Sequence, residues 1–251
     1  TYSQWPVTFI SGEGAYLKDD KGDAYLDFVG GIAVNALGYN HEGLAAVIRE
    51  VLDSGVLHVS NLYYNAYVLE AAKKLAALSG MEKVFFCNSG AEANEAALKL
   101  ARKWGSGKNK STIISMLDSF HGRTYAAVTA TGQKKYHRHF APLPPGFVYA
   151  HFNDLDSVKA LVDERTCAII VEPIQGEGGI VPATKEFLHG LRDLCDRHEL
   201  LLIYDEVQCG MGRSGKPFAH QLYGVKPDIL TTAKALAGGV PAGAMLTQGE
   251  A

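Results

Sequence analysis

The residues of this chain that could do chemistry stand just after its apolar runs. Lys234 follows the run 229–232 and is set among Ala233, Ala235 and Leu236. Lysine is mostly exposed, and an apolar setting penalises its ammonium form, which is one route to a nucleophilic amine. The alternative is a snorkelling side chain. Asp205 closes the run 200–205, where a carboxylate needs a partner. It could face a protonated ring nitrogen or a metal, or simply cap a helix or loop. After the run 83–88 come Ser89, Gly90 and Ala91 and then a strongly helical stretch. The N–H groups of such a helix start can hold a phosphate. An ordinary N-cap by Ser89, with Glu92 closing a capping box, reads equally well. After the run 112–117 come Phe120, His121, Gly122 and Arg123, an aromatic plate and a carboxylate grip, or a loop with a surface arginine. Glu177 lies among glycines after the run 167–172 and could pair with a cation, position a substrate, or be a solvated turn residue.

Together these signals converge. An amine, an acid, an aromatic plate and a phosphate-binding helix start match the needs of pyridoxal 5'-phosphate. Its aldehyde takes an amine, its ring nitrogen an anion, and its phosphate a helix N-terminus.

Other motifs carry less. The stretch Gly210 to Lys216 nearly completes a phosphate-binding G-x-x-x-x-G-K-[ST] loop, but Pro217 removes the hydroxyl and a donor. The glycines around Glu177 do not complete G-x-G-x-x-G, so a dinucleotide site is not expected. His137 and His139 lie in a basic, polar stretch without thiols or a carboxylate cluster, so no metal site is expected. Asn109-Lys110-Ser111 fits a glycosylation sequon without a secretory context.

The elements that must position these groups follow from the pattern. The chain has 251 residues, 47% hydrophobic and 20% charged, which is globular composition. A formal charge of -3 gives no footprint for nucleic acid or an anionic membrane, and no apolar run approaches the ~20 residues of a membrane span. Cys87, Cys167, Cys195 and Cys209 lack C-x-x-C spacing and sit in or beside apolar runs, which reads as reduced, mostly buried thiols. Residues 1–6 show no secretion signal, and a cytoplasmic location is expected.

Two short extended runs around a glycine turn predict a hairpin over 15–28. Apolar recurrence at three and four predicts helices over 42–54 and 67–78, and helical or loop patterns fill 91–104, 155–163 and 185–198. Seven short apolar runs, at 83–88, 112–117, 148–153, 167–172, 200–205, 229–232 and 242–247, predict strands. Strands alternating with helices imply an α/β fold, with a mostly parallel, doubly wound sheet and helices on both faces. Ligands of such sheets bind beyond the carboxyl ends of the strands, where the candidate residues stand.

Several linked motifs resemble the ornithine-type, class III aminotransferases of pyridoxal-phosphate fold type I. They are Asn88 to Asn94, Phe120-His121-Gly122-Arg123, Val171 to Glu177, and Asp205-Glu206-Val207-Gln208 with Lys234 further on. The stretch Gln208 to Gly215, with Gly30 to Val34 and Ser60-Asn61-Leu62-Tyr63, is most similar to the acetylornithine and succinylornithine subgroup. The resemblance covers essentially the whole chain.

It implies that Lys234 bonds the cofactor's aldehyde and then carries the transferred proton. Asp205 would face the ring nitrogen, Gln208 the phenolic oxygen, Phe120 the ring, and the N–H groups of Gly90 and Ala91 the phosphate. Arg123 would bind the α-carboxylate of acetylornithine. Glu177 would pair with an arginine that is freed to bind 2-oxoglutarate. Glu172 would support the Asp205 region, and Tyr2 would line the entrance.

The resemblance further implies a homodimer acting in arginine metabolism. It places residues 1–40 in a smaller domain, completed by a C-terminal part absent from the chain, and residues 41–251 in the cofactor-binding domain. The arginine that partners Glu177 is expected in that C-terminal part, and a threonine reaching the neighbouring subunit's phosphate just beyond Ala251. One departure is Gly38-Tyr39-Asn40-His41-Glu42, where the family usually has Gly-His-x-His-Pro. The expected effect is on loop geometry rather than chemistry.

Overall fold

A computed structural model describes residues 3–60 and 62–249; Tyr2 and Asn61 lie outside the described residues. The chain begins with a three-stranded antiparallel sheet, β1 (Phe9–Glu13), β2 (Tyr16–Asp19) and β3 (Ala24–Leu26). The hairpin expected over 15–28 is its β2–β3 half. The sequence pattern missed β1, whose five residues FISGE are mostly exposed and do not alternate.

The departure at residues 38–42 is absorbed locally. The Tyr39 hydroxyl donates to Asp27 at 2.5 Å, and His41 Nδ1 accepts from Leu44 N–H to cap the next helix. A Cβ at Gly38 would stand 2.7 Å from the Gly14 carbonyl oxygen, and φ there is +76°, so glycine is required.

Helices Glu42–Asp53 and Ala66–Ser79 lead into the main sheet. All seven apolar runs become its strands: β4 (Lys83–Cys87), β5 (Thr112–Met116), β6 (Phe147–Ala150), β7 (Thr166–Val171), then β10 (Leu201–Asp205), β11 (Ile229–Thr232) and β12 (Gly243–Thr247). Between β7 and β10 lies a two-residue pair, β8 (Ile174–Gln175) with β9 (Val181–Pro182). The order across the large sheet is β4-β12-β11-β10-β7-β5-β6. Pairing is parallel from β11 to β6, while β12 is antiparallel to both β11 and β4.

Helices cover both faces, as the strands' alternation requires. Ile114, Ile169, Leu202 and Tyr204 face one way and pack with Phe187, Leu188, Leu191 and Leu194 of helix Lys185–His198. Their neighbours Ile113, Ala168, Ile170 and Ile203 face the other way, against Ala97, Leu98 and Ala101 of helix Gly90–Ser106. β7 is buried at every residue, as a central parallel strand should be. In the stretch 155–163 the helix stops at Lys159, and its N-cap Asp154 accepts from Ser157 N–H.

This topology decides where the chemistry can gather. The carboxyl ends of β4, β5, β7, β10 and β11 lie along one edge. Because β12 runs backwards, its first residue returns to that edge, with Gly243 opposite Cys87 and Ala244 opposite Thr232.

Candidate active site

Beyond that edge is a cavity of ≈ 380 Å³, a size suited to a small organic molecule. Its walls include Gly90, Ala91, Phe120, Arg123, Glu177, Asp205, Gln208 and Lys234, so these eight residues singled out in the sequence reach one place.

The helix Gly90–Ser106 starts at the cavity wall. Ser89 caps it, accepting from Glu92 N–H at 3.1 Å. Glu92 turns back to Asn88 N–H at 2.6 Å rather than to Ser89, so the capping box is displaced by one residue. Capping and anion binding are compatible, because Ser89 satisfies the third N–H of the helix and Gly90 and Ala91 contribute earlier ones. A Cβ at Gly90 would lie 2.6 Å from Val207 Cγ1, so only glycine lets the helix start approach the turn after β10 so closely. A Cβ at Gly122 would lie 2.8 Å from Ala91 Cβ, so the aromatic loop presses on the same helix start.

Asp205 ends β10 with 3% of its surface exposed. Burial penalises a lone carboxylate, and donors answer that penalty here. Asn94 Nδ2 donates to Oδ2 at 2.7 Å, and His121 Nδ1 lies 2.7 Å from the same oxygen. Val207 N–H donates to Oδ1 at 3.0 Å. Asn94 is itself held, because Thr231 Oγ1 donates to its Oδ1 at 2.7 Å and its amide also donates to the His121 carbonyl at 2.7 Å. His121 Nε2 is buried with no hydrogen-bond partner among the described residues.

Asn94, His121 and Thr231 were not assigned roles from the sequence. A buried asparagine one turn into an amphipathic helix was the available signal for Asn94. Glu172 was expected to support Asp205, but its hydrogen bonds run to the Phe120 and Gly176 N–H groups.

Lys234 follows β11 with φ of +46°, a conformation that strains a residue bearing a Cβ and tends to mark functional sites. The chain continues there as a single 3-10 turn, Lys234–Ala237. Burial pushes the Lys234 ammonium below its usual range, while the carboxylates of Asp205, Glu177 and Glu172 pull it back up. The free amine is therefore more accessible near neutrality than in an exposed lysine.

Phe120 packs edge-to-face on Tyr136, with ring centroids 5.3 Å apart. The Arg123 guanidinium lies 5.3 Å from the Tyr136 ring centre and 6.0 Å from that of Phe120. Both Arg123 and Glu177 are exposed, at the cavity rim. Gln208 packs against Gly176, where a Cβ would come within 1.7 Å of its Oε1. Among the described residues no cluster of His, Cys, Asp or Glu could hold a metal, and no helix is long and apolar enough to cross a membrane.

Fold and site together define an α/β protein with an amine, a buried acid and a helix start facing one cavity. The aminotransferase class-III model matches residues 1–251, and the chain belongs to that family. It is 57% identical over 249 residues to a succinylornithine transaminase of Salmonella paratyphi A, covering 98% of this chain and 61% of that protein. The crystal structure of N-acetylornithine aminotransferase from Stenotrophomonas maltophilia superposes with a TM-score of 0.84 at 42% identity, covering 99% and 64% of the two chains. The ornithine aminotransferase of Toxoplasma gondii superposes at 0.92 with 32% identity, covering 99% and 60%; that structure has partial occupancy of PLP at its active site. This chain thus spans about 61% of the length of the curated relatives it matches.

Proposed function

We propose that this chain is the cofactor-binding part of a pyridoxal-phosphate-dependent aminotransferase. In our reading it moves the δ-amino group of an N-acylornithine, acetyl or succinyl, to 2-oxoglutarate, giving the semialdehyde and glutamate in arginine metabolism. One observation carries the reading: Lys234, Asp205 and the Gly90–Ala91 helix start line a single cavity. The names of its relatives support the substrate class.

The residues fit the cofactor. The missing Cβ of Gly90 leaves the helix start close against the turn after β10, and the donor set is one amine, one acid and a row of N–H groups. Bound pyridoxal 5'-phosphate supplies an aldehyde for amines and a ring that accepts electrons when a C–H bond beside nitrogen breaks.

The chain's own groups do the rest. Gly90 and Ala91 would hold the phosphate by their N–H groups. Asp205, fixed in orientation by Asn94 and His121, would keep the ring nitrogen protonated, and a preorganised charge of this kind costs no reorganisation during reaction. Gln208 would meet the phenolic oxygen, and Phe120 would cover the ring and exclude water. Lys234 would be the amine that holds the cofactor's aldehyde, and as a free amine it would carry the transferred proton. Arg123 takes the substrate α-carboxylate, a task suited to its planar fork. Glu177 is proposed to pair with an arginine from a further segment of the protein.

We assign residues 1–40 to a smaller domain and 41–251 to the cofactor-binding domain. The enzyme is proposed to work as a cytoplasmic homodimer, and the exposure of large apolar side chains such as Phe28, Leu62 and Tyr64 supports burial against a partner. Addition of pyridoxal 5'-phosphate should give a yellow absorbance that borohydride fixes on Lys234. A Lys234→Ala variant that keeps the same covalent adduct would remove Lys234 from this role. Half-reactions with acetylornithine, succinylornithine, ornithine and 4-aminobutyrate rank the donors, and equal reactivity with unacylated ornithine rejects the substrate class.

A further inference from the structure

One buried carboxyl on the cavity wall has no part in the chemistry proposed above. Glu172 directly follows β7, lines the cavity and is 4% exposed. Its two oxygens are divided between two loops. Oε2 accepts from Phe120 N–H at 2.9 Å, and Oε1 accepts from Gly176 N–H at 3.2 Å. The same loops meet at two further points. Gln175 Nε2 donates to the Leu117 carbonyl at 2.9 Å, and a Cβ at Gly178 would lie 2.6 Å from the Asp118 carbonyl oxygen. Gly176 also sets the place of Gln208, which fills the space a Cβ would take.

We propose that Glu172 is a positioning residue that fixes the Phe120 loop and the Gly176–Glu177 loop relative to one another. The plate over the ring, the Gln208 amide and the Glu177 carboxylate are thereby placed as one unit. The identity of the ring rests on the cofactor reading, whereas the mechanical tie between the loops does not.

The residue type follows from the demand. Two backbone N–H groups need two acceptors, and a carboxylate offers acceptors only. An amide of the same shape has one acceptor and one donor, so one N–H would face another donor. Sequence separation makes the tie non-local, since Phe120 and Glu172 are 52 residues apart. Burial pushes the Glu172 carboxyl up to about 7, His121 lowers it and Asp205 raises it. Lys234 and Cys209 complete the titratable groups that feel its charge.

Amide hydrogen exchange on the cofactor-free, full-length protein reads the tie without catalysis. In Glu172→Gln, residues 117–123 and 174–179 should both exchange about tenfold faster, the effect of losing one hydrogen bond shared across the pair. β7 and β10 should keep their protection. If Glu172→Gln does not fold, Glu172→Asp keeps the charge but is one methylene too short to reach both loops, and the same two segments should respond. A response in one loop only, or in neither, overturns the proposal. In the loaded enzyme, Glu172→Gln should raise KM for the amino donor more than it lowers kcat. Glu177→Gln should then add a KM effect at least about threefold smaller than in the wild type, as coupled sites do. Strictly additive effects overturn the proposal. If the wild type takes up no pyridoxal 5'-phosphate, the cofactor reading fails, and the exchange pattern still decides the role of Glu172.

Discussion

At the scale of single residues, the site is a set of polar groups held in place by hydrogen bonds from distant parts of the chain. Asp205 is made usable by donors that come from far along the chain: Asn94 is 111 residues away and His121 is 84. Lys234 and Asp205 were legible in the sequence, because a charged residue at the end of an apolar run is conspicuous. Asn94, His121 and Thr231 were not, because their value lies in hydrogen bonds that only folding creates.

Glu206, beside Asp205, is a second buried acid and serves structure. Its oxygens accept from Ala219 N–H at 2.5 Å and His220 N–H at 2.8 Å. Burial pushes its carboxyl from 4.5 up to about 7. A carboxyl raised in this way binds more protons in the folded state than in the unfolded one between those two values. Its contribution to stability is therefore full below 4.5 and is lost as pH rises through about 7. Urea midpoints measured at pH 5 and pH 7.5 should fall with rising pH in the wild type and fall less in Glu206→Gln. An equal fall in both proteins would remove Glu206 from this role.

At the scale of elements, the meeting of helix Gly90–Ser106 with the turn after β10 is the critical contact. Two effects oppose one another in Gly90→Ala. Alanine favours a helix over glycine by up to about 1 kcal/mol. Its Cβ would enter the Val207 side chain, and overpacking of that kind costs about 1–3 kcal/mol. The clash outweighs the propensity, so net destabilisation and weaker cofactor binding are expected. Val207→Ala in the same protein should restore much of both, as measured by denaturation and cofactor titration.

The seven strands of the main sheet were legible because each is a short run rich in apolar residues, and the central ones are buried on both faces. β1 was not, since an exposed strand carries little pattern. The reversal of β12 was also hidden, because apolar content does not encode direction. That reversal nevertheless brings Ala242 and Gly243 to the cavity edge.

At the scale of the whole molecule, several large apolar side chains among the described residues are almost fully exposed. Phe28 and Tyr64 are each 92% exposed, and Leu62 is 88% exposed. Exposed apolar groups on this scale mark contact surfaces. The chain should self-associate, with a sedimentation coefficient that rises with concentration. Leu62→Asp with Tyr64→Asp should shift it toward the monomer. A single monomeric species at every concentration would count against the homodimer.

Sequence alone marked the seven strands of the main sheet, several helices that flank them and eight candidate site residues, Gln208 among them through the family resemblance. It could do so because burial imposes local periodicity and because charge beside an apolar run stands out. Only the tertiary structure decided that these eight face one cavity, that Asp205 is held by Asn94 and His121, and that Glu172 ties two loops. Those facts depend on strand order and on contacts between residues distant in the chain, which local pattern does not carry.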